Sequence, residues 1–161
     1  MKDKFVQAYM DVAKRFAQLS TATRLKVGAI IVKEDRIISI GYNGMPSGWD
    51  NNCENTLFIT KQEAHGYNME TQGFTKTKNG NWTRLKTKPE VLHAETNAIA
   101  KLARSSESGQ DAAIFVTHQP CLECAKLIYQ AGISSVYYST EYRLSHGVDF
   151  LNTAGVDVIK V

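Results

Sequence analysis

His93, Glu95, Cys121 and Cys124 stand in two short segments, Leu92-His93-Ala94-Glu95 and Gln119-Pro120-Cys121-Leu122-Glu123-Cys124, whose residue types suit metal-assisted hydrolysis. Two cysteines three positions apart in the first turn of a helix turn their sulfurs the same way and can grip one ion at about 2.3 Å. Each segment alone is ambiguous: Cys-x-x-Cys also serves redox pairs and zinc ribbons, and a single histidine is commonly packed in a core. A structural zinc takes four protein ligands, whereas here His93 is the obvious third partner and the remaining cysteine, Cys53, lies in chain without periodicity. One histidine with two cysteines, one ion per chain, leaves a position open for water, whose pKa zinc lowers toward about 7. Glu95, two residues past the histidine, is placed to accept and return the proton. In mid-helix these two side chains would diverge by roughly 200°, so the reading requires both at a helix N-terminus, where the dipole also favours thiolate over thiol.

The elements that must position these residues follow from hydrophobic periodicity. Apolar residues over 5–19 recur at the spacing of one helical face, and 27–32 with 37–40 reads as two antiparallel strands joined by a tight polar turn. After Asn43 the pattern fades until about Pro89, and residues 54–90 read as an irregular insertion in a single domain spanning 1–161. Periodicity resumes as a helix over 92–104, a strand at 112–116 and a helix at 122–131 stopped by Gly132. A strand at 136–138, a short helix at 148–153 and a last strand at 156–161 complete the chain. This order predicts an α/β fold, a three-layer α/β/α sandwich around a five-stranded mixed sheet, antiparallel at the hairpin and parallel in the second half.

Composition narrows the function classes. An apolar fraction of 43% and a charged fraction of 22% fit a soluble protein, and no window approaches the roughly 18 apolar residues of a membrane span. Met1-Lys2-Asp3-Lys4-Phe5 does not open a secretory signal, and three cysteines make no even disulfide framework, so a cytoplasmic, reducing environment is expected. The net charge of +3, with no Lys/Arg run, argues against a duplex-binding surface and suits a small phosphorylated substrate.

His-x-Glu followed by Pro-Cys-x-x-Cys is the signature of zinc-dependent base deaminases, and through these residues the chain resembles the cytidine and deoxycytidylate deaminase superfamily over nearly all its length outside the insertion. Residues 20–24 leading into Val27-Gly28-Ala29, then Gly41-Tyr42-Asn43-Gly44-Met45-Pro46, Val116-Thr117-His118-Gln119-Pro120 and Tyr142-Arg143, are similar to the deoxycytidylate branch. The glycines suit a tight backbone turn approaching a ligand or simply a hairpin exit. The resemblance implies hydrolytic deamination of deoxycytidylate (dCMP) to deoxyuridylate (dUMP) and ammonia, with zinc on His93, Cys121 and Cys124 and Glu95 as the catalytic proton shuttle. It implies a substrate pocket formed by Arg24, Asn43, His93, Ala94, Glu95 and Tyr142. Arg24 offers phosphate oxygens a planar fork, although for Arg24 and Arg143 a solvated surface charge is the plain alternative.

The resemblance further implies a homohexamer in pyrimidine nucleotide biosynthesis, activated by dCTP with magnesium and inhibited by dTTP, with Gly44, Met45 and Arg104 at the allosteric site. A second, structural zinc would need ligands beyond Cys53 and His65, so a free thiol is expected for Cys53. Two rival functions remain in view. A deaminase of single-stranded nucleic acid or tRNA would use Trp49, Trp82 and the lysines of the insertion, and a noncatalytic zinc-stabilised module would need a fourth protein ligand and no Glu95.

Overall fold

The computed structural model describes residues 1–142 and 144–161; Arg143, singled out above beside Tyr142, lies outside them. In chain order the elements are α1 (Asp3–Ala17), β1 (Gly28–Lys33), β2 (Arg36–Tyr42), β3 (Glu54–Ile59), β4 (Thr75–Lys76), β5 (Trp82–Thr87), α2 (Ala94–Leu102), β6 (Ala113–His118), α3 (Leu122–Gln130), β7 (Ser135–Thr140), α4 (His146–Thr153) and β8 (Asp157–Lys160). The five-stranded sheet has the order β2-β1-β6-β7-β8, antiparallel from β2 through β6 and parallel from β6 through β8. Its opening hairpin turns through Glu34 and Asp35, both with positive φ (50° and 58°), the backbone of a two-residue type I′ turn.

β1 reads as a continuous apolar run because helices cover both faces of the sheet. Ile30 and Val32 pack with Phe115 against Val6, Tyr9, Met10 and Ala13 of α1. On the other face, Ala29, Ile31, Ile114 and Val116 pack against Ala94 and Ala98 of α2, Ala125 and Ile128 of α3 and Leu151 of α4. The three-layer α/β/α expectation therefore holds, with one helix on one side and three on the other.

Two glycines set the spacing of these layers, and neither makes the ligand-approaching turn expected of it. A Cβ on Gly28 would lie 2.1 Å from the Ala13 carbonyl oxygen of α1, and one on Gly41 would lie 2.1 Å from the Ala94 carbonyl oxygen of α2. Both positions belong to strands crossed by a helix at backbone contact, a distance only a residue without Cβ allows.

Residues 54–87 correct the expectation of irregular chain. They form a second, antiparallel sheet of order β3-β5-β4. Leu57, Ile59 and Trp82 pack on Ala64, Met69 and Phe74, a small apolar cluster of the insertion's own. Glu54 and Thr87, directly opposite each other at the far end of the ladder, lie on its other face.

Candidate metal centre and adjoining pocket

His93 and Cys121 are the residues immediately before α2 and α3, both in extended conformation (ψ 156° and 169°), while Glu95 and Cys124 fall in the first turns of those helices. The divergence that would separate His93 from Glu95 in mid-helix is thus avoided. Because α2 and α3 lie side by side on one sheet face, their two starts meet. His93 Nδ1 is 3.4 Å from Cys124 Sγ and 3.6 Å from Cys121 Sγ, and the three donor atoms lie within 4.8 Å of one another. A tetrahedral zinc, about 2.3 Å from sulfur and about 2.0 Å from nitrogen, spaces such ligands about 3.5 Å apart. Two sulfurs and an imidazole also match zinc by donor type. Among the described residues no fourth histidine, cysteine or carboxylate joins the group, which leaves the arrangement open in the manner of a catalytic centre.

Hydrogen bonds from the Cys124 thiol and from His93 pull Cys121 down to about 3, and the charge this leaves on Cys121, together with burial, pushes the Cys124 thiol up. The hydrogen bond to Cys121 raises the His93 imidazole above its ordinary value. Thr96 of α2 supports Cys124 with its hydroxyl at 3.7 Å. Glu95 is 4% exposed, and loss of solvation lifts its carboxyl to about 7, only partly opposed by its own backbone N–H and by His93.

His93, Glu95 and Cys121 border a cavity of about 370 Å³, within the size range of small-molecule sites. The cavity is also lined by Arg24, Asn43, Ala94 and Tyr142, so every residue read from the sequence as substrate-binding reaches the same space. Asn43 does so as a brace: its Oδ1 accepts the Val27 N–H at 2.7 Å and its Nδ2 donates to the Leu25 carbonyl at 2.8 Å, tying down the wall at 25–27. Gln119 steadies Tyr142, accepting its backbone N–H while donating to the Leu144 carbonyl. Burial holds the His118 imidazole, another lining group, below its ordinary value.

The residues read as allosteric are not brought together within one chain. Gly44 pairs through its backbone with Leu92 just before α2, and Met45 packs beside Ala22, Cys53 and Val91. Arg104 is exposed beyond the other end of that nine-residue helix, which separates the two by more than about 13 Å. Cys53 is fully buried, with Sγ 3.4 Å from the Thr21 hydroxyl, and neither it nor His65 belongs to a group of metal-ligating side chains among the described residues. Trp82, offered for nucleic-acid stacking, is instead part of the insertion's apolar cluster, with Lys76 over its ring.

Among the lining residues that escaped the sequence reading, two are polar and come from the insertion. Glu54 is 7% exposed and Thr87 closes the β5 strand; both enter the pocket from the insertion. Their contacts span 30 to 63 positions of chain, and no local spacing signals them.

Residues 3–140 match the family model described as the cytidine and deoxycytidylate deaminase zinc-binding region. The chain is 34% identical to the deoxycytidylate deaminase of Enterobacteria phage T4, over 94% of this chain and 87% of that one. It is 36% identical to the Homo sapiens deoxycytidylate deaminase over 83% of this chain and 63% of that one. Among solved structures, the dCMP deaminase of the cyanophage S-TIM5 in complex with dCMP and dUMP superposes with a TM-score of 0.79 at 41% identity, covering 100% of this chain and 99% of the other. No helix among the described residues is long and apolar enough to cross a membrane.

Proposed function

Because the chain belongs to the cytidine and deoxycytidylate deaminase family, we propose that it is a zinc-dependent hydrolase that cleaves the exocyclic C–N bond of dCMP to give dUMP and ammonia. The observation that carries the chemistry is the meeting of His93, Cys121 and Cys124 beside a cavity whose wall includes His93, Cys121 and a buried acid, Glu95. The substrate is supported by likeness to the cyanophage enzyme seen with dCMP and dUMP.

His93, Cys121 and Cys124 are the residues that would hold zinc, which in such a site acidifies a water toward about pH 7 and so supplies the nucleophile. Glu95 would accept one proton as water adds to the ring carbon and pass it to the ring nitrogen, then accept the remaining hydroxyl proton and pass it to the amine as the C–N bond breaks and the carbonyl forms. Its burial suits both halves of the task, since a carboxyl near 7 gives and takes a proton with little cost at neutral pH. Ala94 and Asn43 shape the wall against which the base and sugar lie, Tyr142 lines the same space, and Arg24 offers its guanidinium to the phosphate. For a hexamer activated by dCTP with magnesium and inhibited by dTTP, in pyrimidine nucleotide biosynthesis, the support is family resemblance. Gly44, Met45 and Arg104 would then form one effector site only where separate chains meet.

The test is ammonia release by the zinc-loaded protein from dCMP, from deoxycytidine and from a cytosine-containing oligodeoxynucleotide, each with and without dCTP and magnesium. We expect turnover of dCMP in preference to the other two. Turnover of the oligonucleotide alone would overturn the substrate, and turnover of none would overturn the enzyme reading in favour of a zinc-stabilised module.

A further inference from the structure

Arg24 lies in the segment between α1 and β1, outside any helix or strand, and its side chain is exposed. A long cation on such a segment samples many rotamers unless something holds it. Here both its ends are held, and from the insertion. Glu54 Oε1 accepts the backbone N–H groups of Thr23 and Arg24 at 3.0 and 3.2 Å, and Arg24 Nη1 donates to Thr87 Oγ1 at 3.1 Å. Glu54 and Thr87 are cross-strand partners at the end of β3 and β5 that abuts the cavity, so one ladder position fixes the backbone of Arg24 and also its guanidinium. No other described residue accepts a hydrogen bond from that side chain.

We propose that the insertion sheet sets the preference for a 5′-phosphorylated nucleotide over the bare nucleoside, with Glu54 and Thr87 as positioning residues that aim Arg24 at the phosphate. The inference rests on the reading that Arg24 meets the substrate phosphate. It gives the insertion a task of its own: the two helix starts that carry His93, Cys121 and Cys124 supply the chemistry, and the small sheet supplies discrimination.

Thr87→Val keeps the β-branched shape of the strand residue and removes the acceptor, so it should fold, whereas Thr87→Ser keeps the acceptor. We expect Thr87→Val to lower the ratio of kcat/KM for dCMP to that for deoxycytidine by about tenfold, as loss of a charge-assisted hydrogen bond implies, and to weaken dUMP but not deoxyuridine in a calorimetric titration. Thr87→Ser should restore both. Glu54→Gln retains an acceptor for the two N–H groups and should fall between wild type and Thr87→Val. Equal losses for nucleotide and nucleoside, or no change in either ratio, would overturn the inference. Arg24→Ala separates the layers. If it collapses the ratio while Thr87→Val does not, the positioning role alone fails; if it leaves the ratio intact, the phosphate role of Arg24 fails and the inference with it.

Discussion

Glu95 sits where water scarcely reaches it, one residue into a helix that His93 precedes, and this placement joins its two properties: nearness to the metal ligands and a carboxyl raised to about 7. Glu95→Gln keeps shape and burial but abolishes proton transfer. Zinc content should stay at one ion per chain while turnover falls by about 10²–10⁴-fold, measured by metal analysis alongside ammonia release. Cys124→Ser should instead lose the metal, because a buried serine hydroxyl is a far poorer zinc ligand than thiolate. A Glu95→Gln protein that still turns over substrate rapidly would remove the shuttle from the mechanism. The candidate metal group was legible because its spacing is local and tied to helix starts. Glu54 and Thr87 were not, because they act through contacts between distant stretches of chain.

Among the elements, β2 and α2 meet at backbone distance where Gly41 faces the Ala94 carbonyl, one residue from His93. Gly41→Ala has to push α2 off the strand and should cost about 3 kcal/mol in urea unfolding and weaken zinc binding in a chelator competition. Gly28→Ala makes the same clash against α1, on the sheet face away from His93, Cys121 and Cys124, and should cost similar stability while leaving zinc affinity unchanged. Equal zinc loss in both would mean that global loosening is responsible. The helices and the five core strands were readable because each carries a clear period, 3.6 or a continuous apolar run. β3 and β5 were not, because their alternation is diluted: Thr56, Thr83 and Lys86 intervene, and even Phe58 stays more than half exposed. The glycines announced a constraint but not its source, which is a helix crossing overhead.

Across the whole molecule, the candidate zinc ligands stand at the starts of helices packed on the large sheet, while the small sheet packs on its own apolar cluster and reaches the cavity at one end. Replacing residues 56–85 with Asn-Gly, so that Asn55 and Lys86 are joined by a two-residue turn, should therefore leave one zinc per chain and raise KM for dCMP, as metal analysis and steady-state rates would reveal. A variant that loses zinc would show that the two sheets depend on each other. The central pairing of the large sheet, Ala29 with Val116, already closes a long loop, and the insertion lies inside that loop. Loop-closure entropy rises only logarithmically with length. Since the insertion does not double this loop, it adds less than about 0.6 kcal/mol to the cost of closing it. Chain can thus be lengthened, shortened or rewritten between β2 and α2 at almost no entropic cost to the sheet on which α2 and α3 pack, which makes this stretch the natural place for substrate preference to change while the chemistry stays put.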